Sequence, residues 1–136
     1  MADFENASYE VQTAWNDIAK LAQTALELAG LPATLLAQDS NIVGAEIEVD
    51  LGSDEAGGVF VEWRPLVRLS KAAAESVQSN RFDDPSIRHS GAVKLAMRRA
   101  IIEILSSAGF IAEESQEDMR PLSVRIVSAP KDDRAY

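Results

Sequence analysis

Residues 45–51 read Ala-Glu-Ile-Glu-Val-Asp-Leu, a strict alternation of apolar and acidic side chains. A period of two puts Ala45, Ile47, Val49 and Leu51 on one side of a strand and Glu46, Glu48 and Asp50 on the other. Such a strand is half-buried, with one face on a core and one wet acidic face. A Gly-rich turn, Gly52 to Gly58, follows. Val59, Val61 and Trp63 then alternate with Phe60, Glu62 and Arg64, and Pro65 ends the run. Two alternating runs joined by a turn predict an antiparallel hairpin. Carboxylates facing one way repel unless a cation neighbours them, and Arg64 has the alternation phase to supply it.

Helical patterns flank this hairpin. Over 7–29, Val11, Ala14, Trp15, Ile18, Leu21, Ala22, Ala25 and Ala29 recur at helical spacing, with Asn6 or Ser8 as N-cap and Gly30 and Pro32 as the stop. A connection follows over 31–43, with a short helical turn at 33–37. Residues 70–79 form a short helix capped by Ser70, favoured by Ala72, Ala73 and Ala74. Asp84-Pro85 opens a longer helix over 85–108, stopped by Gly109. Short strands are expected at 110–113 and around Leu122, Val124 and Ile126, the last closed by Pro130.

The order is α-β-β-α-α-β-β. It predicts an α+β fold with a mostly antiparallel sheet of about four strands and helices packed on one face. At 136 residues the chain is one domain over 1–136, with 1–6 and 130–136 as frayed tails. Trp15, Ile18, Leu21, Val49, Val61, Trp63, Val93, Met97, Ile101, Ile104, Val124 and Ile126 are the expected core.

Charge narrows the function. Asp and Glu number 22 against 13 Lys and Arg, for a net charge of −9. Residues 1–60 carry 11 acids and one base, whereas 61–112 are net basic by three. The overall sign argues against nucleic acid, whose binders present a dense basic surface. There is no cysteine and a single histidine, His89. Thiolate chemistry and two-imidazole metal sites are therefore excluded. An acidic start and the lack of a long apolar run predict a cytoplasmic protein without a membrane segment.

Three features are candidates for a site. Lys94 and Arg98 lie one turn apart among apolar residues of the long helix, where they either grip an anion or pair with carboxylates. Glu46, Glu48 and Asp50 form an acidic strand face that suits a basic partner better than a divalent cation. Trp63 is a core anchor, or an interface residue if exposed. His89 beside Asp83, Asp84, Ser86 and Ser90 does not build a nucleophile and base, because neighbours on one helical turn lack that geometry. No catalytic residue, metal or cofactor is expected.

The leading reading is a non-enzymatic acidic protein–protein interaction module, chaperone-like or toxin-neutralising by analogy of fold class, acting as a homodimer with a basic protein partner. The alternatives are a binder of small anions, or a cofactor-independent enzyme, using Lys94 and Arg98. A third is a nucleic-acid-associated protein using Arg88, Lys94, Arg98 and Arg99.

Overall fold

The computed structural model describes residues 7–36, 43–52, 57–116 and 120–131. Within them the expected hairpin is the centre of the molecule. Strand β2 (Gly44–Asp50) and strand β3 (Gly58–Arg64) run antiparallel in register, with Ile47 opposite Val61 and Glu48 opposite Phe60. The residues of the intervening turn at 53–56 and the tails at 1–6 and 132–136 lie outside the described residues.

The first helix, α1 (Tyr9–Leu28), is capped by Ser8, whose hydroxyl accepts from the Val11 N–H at 3.3 Å. The chain leaves it through Gly30 in the left-handed region. The connection after it is not a helical turn. Ala33–Leu35 form a three-residue strand, β1, parallel to β2. Three residues are too few to show a period, and pairing with β2 decides their conformation. Gly44 permits the approach: its φ is +101°, and a Cβ there would sit 2.6 Å from the Pro32 carbonyl oxygen. That same oxygen accepts from the Ala45 N–H at 2.8 Å.

After β3 come α2 (Val67–Gln78) and α3 (Pro85–Ser107). Helix α2 begins three residues earlier than expected, and its N-cap is Leu66, with no side-chain cap; Ser70 lies inside the helix. Helix α3 opens at Asp84, as its sequence signals. The Ser86 N–H donates to the Asp84 carboxylate at 2.9 Å, which holds that carboxyl below its ordinary pKa. This contribution is present above the unfolded pKa of Asp84 and is lost as pH falls through the depressed value. Gly109 ends the helix, and Phe110 folds back, its N–H donating to the Leu105 carbonyl at 3.0 Å. Strands β4 (Ile111–Glu114) and β5 (Val124–Ser128) complete the chain.

The fold is α+β. Among the described residues the sheet has five strands in the order β1-β2-β3-β5-β4, antiparallel except for the β1–β2 pair. Helix α1 lies over β1, β2 and β3, and α3 over β3, β5 and β4, on the same side. Helix α2 packs on α3 instead of on the sheet, so only two helices cover that face.

The core is a layer between these helices and the alternating apolar set of the sheet. Ala19, Ala22 and Leu26 of α1 and Ile101 and Leu105 of α3 meet Ala45, Ile47, Val59, Val61, Val124 and Ile126. Two expectations about helix phase are corrected. Leu21 is 45% exposed, and the inward line of α1 runs through Ala19, Ala22 and Leu26. On α3 the inward line runs through Ser90, Ile101 and Leu105; Ala96 is exposed, and Val93, Met97 and Ile104 are only partly covered. Trp15, Ile18, Val49 and Trp63 are half-buried against the core rim.

This phase has a measurable consequence. Leu105→Ala opens a cavity at a fully buried site and is expected to cost about 2–5 kcal/mol. Leu21→Ala removes an exposed side chain and is expected to stay within about 0.5 kcal/mol of the parent. Urea unfolding of both variants checks the pair; a reversed order contradicts the helix phase.

Candidate functional site: the open face of the sheet

The side of the sheet opposite the helices carries the other half of each alternation. Cross-strand register sets Glu48, Phe60, Arg125 and Glu113 in one row across β2, β3, β5 and β4. Glu46 and Glu62 face each other in the next row. Asp50 lies at the end of β2, opposite Gly58.

A phenyl ring on a face with no helix over it should be wet. Phe60 is instead 1% exposed. Its cover is cationic: the Arg120 guanidinium carbon lies 4.5 Å from the ring centroid and that of Arg125 lies 5.5 Å away. Both are within the range at which a cation is attracted to the ring quadrupole. Arg120 precedes β5 and is set by a turn in which the Ser123 N–H donates to the Arg120 carbonyl at 3.2 Å. From there its fork spans two strand residues of β2. Nη1 donates to Glu48 Oε1 at 2.6 Å, and Nη2 donates to Asp50 Oδ2 at 2.8 Å. These bonds raise the Arg120 pKa above its ordinary value, the Glu48 hydrogen bond contributing most and burial opposing it.

Arg64 performs the same task one row away. It reaches Glu46 Oε1 at 2.9 Å and Glu62 Oε2 at 3.4 Å, bridging two like charges that stand directly opposite each other. Its pKa too is raised, first by the hydrogen bond to Glu46. The Ser123 hydroxyl donates to Glu62 at 3.4 Å, and Arg125 donates to the Gly57 carbonyl at 3.2 Å. Between these side chains lies a polar cleft of about 140 Å³ lined by Glu46, Glu48, Phe60, Glu62, Arg64, Arg120 and Ser123. Among the described residues the face holds five carboxylates, those of Glu46, Glu48, Asp50, Glu62 and Glu113, against the three guanidiniums of Arg64, Arg120 and Arg125. It therefore retains a negative balance after its ion pairs are made.

The structure brings Glu46, Glu48 and Asp50 together on this face. It places Lys94 and Arg98 on α3, beyond the other side of the sheet, so they do not partner those carboxylates within the chain. Arg98 is engaged locally: it donates to the Pro121 carbonyl at 2.9 Å and lies 3.4 Å from Glu114. Trp63 points to the helix side, on the rim of the core. Alternation assigns Phe60 and Arg125 to this face, but nothing local in the sequence brings Arg120 to it or stacks the two arginines on the ring. The register Glu48–Phe60–Arg125 needs strand pairing across 65 residues of chain.

Among the described residues no group of three or more His, Asp or Glu side chains has metal-binding geometry. Among the same residues no helix is long and apolar enough to cross a membrane. No protein-family model, no curated protein and no solved structure matches this chain.

Of the arginines on this face, Arg120 and Arg64, which bridge its carboxylates, are not equivalent. The Arg120 side chain is 19% exposed and that of Arg64 is 45% exposed. Arg120→Gln leaves Glu48 and Asp50 facing each other and uncovers Phe60; the expected loss is about 1.5–3 kcal/mol. Arg64→Gln is expected to cost about 0.2–1 kcal/mol, as exposed pairs do. Chemical denaturation at low and high salt checks the ranking, and equal losses contradict it.

Proposed function

We propose that this protein is a non-enzymatic protein–protein interaction module that docks a basic partner on the open face of its sheet. The observation that carries the reading is the carboxylate excess on a face that no helix covers, held in fixed geometry by Arg120 and Arg64. Rigid like charges of this kind steer a cationic surface and fix its register. The fit is to Lys or Arg side chains entering beside Glu62 and Glu113, where the carboxylates outnumber the arginines. A chaperone-like or toxin-neutralising role matches such a surface, since both tasks cover a basic segment of another protein. The module acts as a homodimer, for which its sheet edges supply a means, and a chain without cysteine suits the cytoplasm.

The reading as an anion binder has less support. Arg98 already has two partners, and the groove beside it, of about 310 Å³, includes Glu103 and Glu114 among its lining residues. Two carboxylates beside an anion oppose its binding.

The test uses a peptide rich in Lys and Arg as the probe, with binding followed by fluorescence anisotropy. Glu62→Gln/Glu113→Gln is expected to weaken binding about tenfold, equivalent to about 1.4 kcal/mol. Glu10→Gln/Asp17→Asn, which removes the same charge from α1, leaves it nearly unchanged. Equal weakening by the two variants shows binding to net charge alone and overturns the assigned face.

A further inference from the structure

The sheet has two edges, and they differ. At the β1 edge the Gln23 side chain of α1 donates to the Ala33 carbonyl at 3.0 Å, so a group that would bond another strand is taken. At the β4 edge, among the described residues, no strand pairs on the outer side. Alternate residues of β4 therefore present their N–H and C=O groups outward, and of these the Glu114 carbonyl accepts a long bond, 3.5 Å, from the Gln116 side chain. Ile111 beside them is 58% exposed. Above this edge runs a groove of about 310 Å³ along the flank of α3, lined by Leu95, Arg98, Arg99, Ile102, Glu103 and Glu114. Leu95 is itself 45% exposed.

We propose that the β4 edge and this flank of α3 form a two-fold interface for a second copy of the chain. The inference rests on the reading of the protein as a self-associating module and assigns the surface used. A two-fold interface sets one patch against itself, so the patch must complement itself. The open sheet face, with its carboxylate excess, repels its own copy. The β4–α3 patch carries both signs in balance, with Arg98 and Arg99 against Glu103 and Glu114.

The register follows from one contact. Arg98 meets Glu114 at 3.4 Å, and the chain reverses between α3 and β4, so the two elements run in opposite directions. Two strand residues cover about 6.8 Å, the rise of about four to five helical residues. Ala112 therefore lies level with Ile102 and Glu103. An axis at Ala112 pairs β4 with its copy antiparallel across a small side chain. It brings Ile102 against its own copy and sets Arg99 of one subunit near Glu103 of the other. Glu113 then faces Ile111 of the copy, so no two carboxylates stand opposite. A short strand alone is too small for a specific interface, which buries about 1,200 Å² or more. Leu95, Arg99 and Ile102 of the helix flank extend it.

Sedimentation of the full chain tests the assignment. The wild type is expected at about twice the 14.7 kDa chain mass. Leu95→Glu/Ile111→Lys changes two exposed side chains and is expected to give a monomer with unchanged circular dichroism. Arg99→Glu is expected to weaken the dimer at least about tenfold. Arg99→Glu/Glu103→Arg, which restores the pair across the axis, recovers it. A variant Leu95→Glu/Ile111→Lys that stays dimeric overturns this interface and leaves self-association standing. A wild type monomeric up to about 100 µM, where weak contacts assemble, overturns both; the reading of the open face as a docking surface is tested separately by the basic peptide.

Discussion

The Arg120 guanidinium lies on the Phe60 ring and holds Glu48 and Asp50 at its two ends. Without it the outer face of the sheet combines a wet phenyl ring with carboxylates spaced two residues apart on one strand. Each is unfavourable alone: the ring exposes apolar area, and the like charges repel. One side chain answers both, because a guanidinium is planar, permanently charged and weakly hydrated at its faces. It stacks through its plane and donates through its edge. The contact also joins the segment leading into β5 to β2, about 70 residues earlier, and so ties together distant parts of the chain.

The two faces of the sheet consequently have different tasks. Under α1 and α3 it is a close-packed apolar layer whose alternating residues supply the stability. On the other side the residues provide charge geometry, held by the contact of Arg120 with Phe60, Glu48 and Asp50. Arg64 and Arg120 use most of the acidic charge internally and leave an excess near Glu62 and Glu113. A surface that is partly neutralised and fixed in place discriminates between cationic partners better than loose acids do, since a partner must match positions as well as sign. The carboxylate excess on which the proposed docking of a basic protein rests also repels a second copy of the same face, so the proposed self-association is assigned to the mixed-charge edge beside α3.

Most of the architecture was legible in the sequence because its signals were local. The alternation at 45–51 and 59–64 predicts β2 and β3, and Ser8, Asp84, Gly30 and Gly109 mark helix ends through capping chemistry. What failed depended on tertiary context. Strand β1 has three residues and exists through pairing with β2. The inward line of α1 passes through alanines, whose hydrophobic signal is weaker than that of Leu21 or Leu28 on the rim. On α3, Arg98 stands among apolar residues as its sequence position indicates, and its long stem reaches past the core to Pro121 and to the strand carboxylate of Glu114, one of the two outcomes expected of it. The acidic half of the open face could be read directly. Of its cationic half Arg64 could be read from its alternation phase, but Arg120 could not, because it lies in a charged stretch with no periodicity and nothing nearby in the chain names its partners.

The dependence of the open face on Arg120 is measured most directly by a double-mutant cycle with Phe60. Arg120→Met, Phe60→Leu and the double variant keep the chain apolar where the two side chains meet while removing charge and ring in turn. If the guanidinium–ring stack organises the face, the cycle yields a favourable coupling of about 0.5–2 kcal/mol. Strict additivity of the two single losses contradicts the account, since it means that the ring and the cation stabilise the sheet independently.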